Sequence, residues 1–235
     1  MHTDPISIGQ FSLSDAISCG AEIRYLGKQA ADEASFGKAL LNCLRQHFVD
    51  DDGAPAIALA RVFKTDSYGR LDPELQAIVR QSVATSSPEM KCLRMCATVG
   101  SEPAWNDIRQ SVSHRVIPLP SEKAVEQLPM IAQLLQQLEF DVGGLVQSNA
   151  KVLVRGAQTS VFHVEEALGS HHIPAQDEFI RRFGIRSVVG FGDVLPDCNI
   201  FAVIIFSRAK IPSGVADFFS LLSLSVRSAL LACTP

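Results

Sequence analysis

Basic residues are not in excess in this chain of 235 residues: 21 lysines and arginines stand against 25 aspartates and glutamates, for a net charge of −4 and an isoelectric point near 5.9. A general attraction to phosphate backbones or anionic bilayers is thereby excluded, and neither nucleic acid nor membrane is an expected partner. The first residues, Met1-His2-Thr3-Asp4-Pro5, lack the basic and apolar regions of a signal peptide. No uninterrupted apolar run approaches the ~18 residues that span a bilayer, so a soluble, cytoplasmic protein is expected. Also missing are the nucleotide loop GxxxxGK[ST], the hydrolase elbow GxSxG and any Cys-x-x-Cys pair, which disfavours phosphoryl transfer, serine hydrolysis and a zinc knuckle. No internal repeat, low-complexity tract or linker divides the chain.

What is present is globular. Hydrophobic residues make up 47% and charged residues 20%, well away from the composition of disordered chains. Folding throughout as one domain over residues 1–235 is expected, with an N-terminal helical region at about residues 10–50 and a core over about 51–235. Six cysteines, Cys19, Cys43, Cys92, Cys96, Cys198 and Cys233, show no framework spacing and read as free thiols of a reducing compartment.

Hydrophobic periodicity supplies the elements. Between residues 28 and 49, Phe36, Leu40, Cys43/Leu44 and Phe48 recur at helical steps and predict a helix ended by Asp50-Asp51-Asp52-Gly53. Residues 56–63 are compact and apolar and predict a buried strand. Asp72 as N-cap and Pro73 at the first position predict a helix carrying Leu75, Ile78, Val79 and Val83. Residues 90–99 predict a strand in which positions 92, 94 and 96 share one face, and residues 100–120 an irregular stretch. Val125, Leu128, Ile131, Leu134/Leu135 and Leu138 predict a helix that Pro129 kinks or divides, with Gly143-Gly144 beyond its end. Residues 152–164 predict one or two strands, residues 174–183 a short helix stopped by Gly184, and a last helix runs from near Pro212 to about Leu231.

The triplet Gly190-Phe191-Gly192 invites a nucleotide-binding reading, which its context refuses. A phosphate cradle needs a glycine loop that opens a helix, and here Leu195-Pro196-Asp197-Cys198-Asn199 leads into a second apolar run at residues 200–206. Two apolar runs with a five-residue connection predict a hairpin. Ile200, Ala202, Ile204 and Phe206 face one way and Phe201, Val203 and Ile205 the other, so this strand is central and covered on both faces. Gly190 and Gly192 are expected to border a pocket, because glycines within strands mark close approaches to the backbone.

The stretch "GIRSVVGFGDVLPDCNIFAVIIFSRAKIPSGVADFFSLLSLSVRSAL" resembles the closing part of a GAF domain. "RVFKTDSYGRL", "CLRMCATVGSEPAWNDIRQSVSHRVIPLPS" and "VFHVEEALGSHHIPAQDEF" resemble stretches of GAF-like sensory regions found ahead of bacterial histidine kinases, and this likeness covers most of the chain after about Ala34. It implies an α+β fold, a GAF/PAS-like central antiparallel sheet flanked by helices with an enlarged middle segment, and a ligand pocket on one face. It also implies a sensory role in signal transduction, with a histidine kinase or another output module as partner.

Candidate ligand-binding residues are Cys92, Cys96, Trp105, His114, His163, Gly190 and Gly192. Cys92, His114 and His163 are the candidate metal ligands, a donor set suited to haem or non-haem iron, although none of the spacings is a metal signature. Trp105 and His114 belong to the irregular stretch that would wall the pocket. The pair His171-His172 reads as a solvated loop, and Arg61 and Lys64 can meet an anionic ligand or remain solvated.

The leading expectation is a non-catalytic sensory domain that binds a small molecule or metal-bound cofactor and signals through its terminal helices. Leu221, Leu224 and Leu231 leave an apolar stripe on the last helix for a second copy, so a homodimer is expected. The rival is a thiol redox enzyme on a GAF-like fold, similar to methionine sulfoxide reductases, with Cys92 or Cys96 as nucleophile. A plain dimerisation module is the third reading.

Overall fold

The computed structural model describes residues 4–111, 114–138, 142–146, 161–173 and 175–233. Strand β1 (Ile6–Ser7) and strand β2 (Phe48–Val49) form a small parallel pair. The main sheet is built from β3 (Ile57–Ser67), β4 (Lys91–Gly100), β5 (Val116–Leu119), β6 (Phe162–Val164), β7 (Ser187–Val194) and β8 (Ile200–Ser207). Its order is β5-β4-β3-β8-β7-β6, with every neighbouring pair antiparallel. Helices cover both faces, so the fold is the expected α+β arrangement of a central antiparallel sheet with a long middle segment.

One face of the sheet carries the terminal helices α1 (Leu13–Gln29), α2 (Glu33–His47) and α8 (Ser220–Ala232). Capping chemistry explains why one expected helix over residues 28–49 becomes two. Asp32 accepts from Ser35 N at 2.7 Å while the Ser35 hydroxyl accepts from Asp32 N, which starts α2 after the extended residue Ala30 has ended α1. Ser12 and Asp15 make the same reciprocal arrangement at the start of α1. Phe36, Leu40 and Leu44 from α2 meet Val203 and Ile205 of β8 and Leu222 and Val226 of α8 in one buried cluster. Each such side chain contributes about 1.5–3 kcal/mol on burial.

The opposite face is covered by the middle of the chain: α3 (Pro73–Ser82) at the sheet edge, then α4 (Glu122–Glu126), α5 (Pro129–Gln137) and α6 (Val142–Val146). Asp72 caps α3 through Leu75 N at 2.9 Å, and Pro129 divides the next helical stretch into α4 and α5. Gly143 and Gly144 lie inside α6 rather than beyond a helix end. Of the strands expected over residues 152–164, Phe162–Val164 is present as β6, and residues 152–160 lie outside the described residues. The expected irregular stretch contains β5 and two short 3-10 turns.

The hairpin holds as expected. Val194 pairs with Ile200, and residues 195–199 close the turn through Leu195 N to the Asn199 carbonyl at 2.7 Å. The residues of β8 divide by parity between the two faces, with Phe201, Val203 and Ile205 under the terminal helices and Ile204 and Phe206 under the middle segment. The short helix α7 (Ser213–Ala216) runs through one 3-10 turn into α8. This stretch, Ser213–Ala232, holds an 18-residue window of mean hydropathy 1.5, which by length and composition could cross a membrane although Asp217, Arg227 and several serines interrupt it. Its apolarity has a local cause, since Phe219, Leu222, Val226 and Ala229 are core residues against the sheet.

Candidate functional site

A cavity of about 550 Å³ lies between the sheet and the middle segment. Its size falls in the range of small-molecule sites. Strand parity builds the floor: Leu59, Arg61 and Phe63 alternate along β3 onto the cavity side, joined by Leu93 of β4 and by Ile204 and Phe206 of β8. Val116 to Pro118 of β5 form one wall, Pro129 to Leu134 of α5 form the roof, and Ile173, Ala175 and Phe179 close the far side.

Trp105 stands at one end, held by an aromatic cluster. It meets Phe183 edge-on at 4.5 Å and Phe179 at 5.6 Å, and Phe179 meets Phe206 at 5.0 Å. Two polar clamps fix the loop that carries it. Thr98 donates its hydroxyl to the Trp105 carbonyl at 2.9 Å, and the Asn106 amide both accepts from Gly100 N and donates to the Gly100 carbonyl at 3.1 Å.

Arg61 is the charged group of this otherwise apolar floor. Its Nε is buried without a hydrogen-bond partner, and no acidic group pairs with it among the described residues. Burial lowers its pKa to about 10, which leaves the guanidinium charged at neutral pH. A half-buried cation without an acidic partner is costly, and an anion entering the cavity would offset that cost. Lys64, three residues further along β3, points to the other face and pairs with Glu33, as does Arg94. His114 is exposed on its solvent side and borders the cavity on the other. Desolvation, followed by the Arg61 charge, holds its imidazole below the ordinary histidine value.

Of the seven candidate residues, Trp105 and His114 line this cavity. Cys92, Cys96, His163, Gly190 and Gly192 do not. Cys92 packs with Leu71, Val79, Met90 and Val116 at the α3 edge, and Cys96 belongs to the cluster under the terminal helices. Both have the strand parity opposite to Leu93. Burial is the main reason their thiols are pushed up, Cys92 to about 12 and Cys96 to about 11, the reverse of an activated thiolate. His163 faces away from Phe162 and Val164, and its Nε2 sits 2.9 Å from the Ile211 carbonyl, which fixes the N–H on that nitrogen. Burial lowers its pKa.

The iron site expected from Cys92, His114 and His163 is not assembled. Strand β6, which carries His163, lies four strand positions from β4, which carries Cys92, and at the usual spacing that is about 19 Å. The donor set therefore does not fit a haem or non-haem iron bound by these three residues.

The two glycines serve packing. A Cβ on Gly192 would lie 2.2 Å from the Phe201 carbonyl oxygen, so the space is taken by the partner strand of the hairpin. A Cβ on Gly190 would lie 3.3 Å from Leu134 Cδ1 and from Phe162, so this glycine seats the α5 roof on β7. The room expected for a ligand is filled by protein at both positions.

No family model matches the sequence, and no curated protein matches it. Among solved structures, the chain is similar to the crystal structure of the phycoerythrobilin-bound GAF domain from a cyanobacterial phytochrome. The similarity has a TM-score of 0.42 at 10% identity, over 92% of this chain and 96% of that one.

Proposed function

We propose that this chain is a sensory domain of the GAF kind that binds a small organic molecule, with an apolar body and one acidic group, in the cavity between sheet and middle segment. The observation that carries the reading is Arg61, a half-buried guanidinium whose Nε is shut off from water and which has no acidic partner among the described residues, set among Leu59, Phe63 and Leu93. The acid would pair with Arg61, and the body would lie against Trp105, Phe179 and the aliphatic floor. A thermal-shift screen of small organic acids against their neutral amides tests this. Acids are expected to raise the unfolding midpoint, and an acid preference that survives Arg61→Gln contradicts it.

The buried, high-pKa thiols of Cys92 and Cys96 favour this reading over thiol redox catalysis. Five of the six free cysteines are buried and the sixth is partly exposed, which suits a reducing cytoplasm. Output passes through the terminal helices to a second copy of the chain and onward to a histidine kinase or another output module. Ile17 and Tyr25 of α1 and Leu224 and Leu231 of α8 are exposed on helices that pack together, and they form the dimer face in this proposal. Light scattering over a concentration series is expected to show a dimer that Leu224→Glu weakens; a monomer throughout contradicts the dimer.

A further inference from the structure

A second site lies away from the cavity, between α1 and α2. Glu22 reaches in from α1, while Cys43 and His47, four residues apart, share one face of α2. Cys43 Sγ is 3.5 Å from His47 Nδ1, His47 Nδ1 is 3.6 Å from Glu22 Oε2, and the three donor atoms all lie within 4.8 Å of one another. These separations are close to those of a tetrahedral zinc shell. Zn–S of about 2.3 Å with Zn–N and Zn–O of about 2.0–2.1 Å puts sulfur and nitrogen about 3.5 Å apart, and nitrogen and oxygen about 3.4 Å apart.

Glu22 Oε2 is shut off from water and receives no hydrogen bond of ordinary geometry, although the thiol and the imidazole both lie against the carboxylate. A divalent cation stabilises thiolate and carboxylate side by side. Thiolate, imidazole and carboxylate form a borderline-soft donor set suited to zinc and unlike the all-oxygen shells of magnesium or calcium.

We propose that Glu22, Cys43 and His47 bind zinc or a similar divalent transition metal, with water in the fourth position, as a clasp between α1 and α2. The clasp would fix α1, which packs on α8, to α2, which packs on β4. This inference is independent of the cavity.

Cobalt titration of the chelator-treated full chain tests it. One equivalent of Co²⁺ is expected to produce the visible bands of a tetrahedral site and a thiolate charge-transfer band, both abolished by Zn²⁺. Cys43→Ser removes the charge-transfer band, Cys198→Ser leaves it intact, and His47→Ala weakens binding at least tenfold, since even supporting partners of a metal ligand are worth that much. No thiolate band in the wild type, or a band that persists in Cys43→Ser, overturns the proposal. Should Cys43→Ser fail to fold by circular dichroism, Glu22→Gln, which is nearly isosteric, carries the test: weakened zinc binding supports the site and unchanged affinity overturns it.

Discussion

The Arg61 guanidinium and the His114 imidazole border one cavity, and the charge of the first adds to desolvation in keeping the second unprotonated. The side chains of the cavity therefore carry one positive charge at neutral pH. Protonating His114 supplies a second, which an acidic ligand would favour. Affinity for an organic acid is expected to increase as pH falls through the lowered His114 pKa, provided the ligand stays ionised, with proton uptake on binding. Calorimetry in buffers of different ionisation enthalpy measures that uptake. Arg61→Gln is expected to raise the His114 pKa, followed by NMR titration of the ring.

Acid is also expected to weaken the fold itself. His163 and His114 have folded pKa values below the ordinary histidine value, so the unfolded chain binds more protons in that range. The stability they contribute is present above about pH 6.5 and is lost as pH falls toward the folded values. Urea midpoints at about pH 7.5 and about pH 5.5 should show the loss, and His163→Asn should reduce it.

The two glycines of the hairpin strand separate packing from ligand space. Gly192→Ala drives a methyl into the Phe201 carbonyl and is expected to cost about 3 kcal/mol or more. Gly190→Ala meets the movable Leu134 and the Phe162 ring at 3.3 Å and is expected to cost about 1–2 kcal/mol. Denaturant unfolding of the two variants checks the order.

Thiol chemistry offers a further check. Cys198, in the hairpin turn, is partly exposed and the other five cysteines are buried, so one fast-reacting equivalent is expected in the native protein and the rest on unfolding. Cys198 also adopts φ 61°, a left-handed conformation that costs a non-glycine residue about 1 kcal/mol. Cys198→Gly is expected to be neutral or mildly stabilising, measured by thermal unfolding.

Much of this fold is legible in the sequence because the period of burial is. The hairpin at residues 195–199, the Asp72-Pro73 helix start and the two-sided burial of β8 each follow from local chemistry. The site was harder to read. The irregular context of Trp105 and His114 points to the cavity, whereas residue type and strand alternation single out Cys92, Cys96 and His163 without saying which face of the sheet the cavity occupies. Parity separates them from the cavity: Leu59, Arg61 and Phe63 alternate onto one face, and Cys92 and Cys96 have the parity opposite to Leu93. The pairing of Glu22 with Cys43 and His47 depends on how two helices pack, which no local pattern encodes.

The central claim is that Arg61 receives the acid of an amphipathic ligand, and a pair of matched probes tests it most directly. Anilinonaphthalene sulfonate and uncharged phenylnaphthylamine share an apolar body and differ in one anionic group. Trp105 is the one tryptophan of the sequence, so energy transfer from it to either dye reports occupancy of this cavity. The account predicts that one equivalent of each binds the wild type, the anionic dye more tightly, and that Arg61→Gln weakens the anionic dye about tenfold or more while sparing the neutral one. Equal binding of the two dyes, unchanged in Arg61→Gln, would contradict the role of Arg61, and failure of both to draw energy from Trp105 would contradict the cavity as a ligand site.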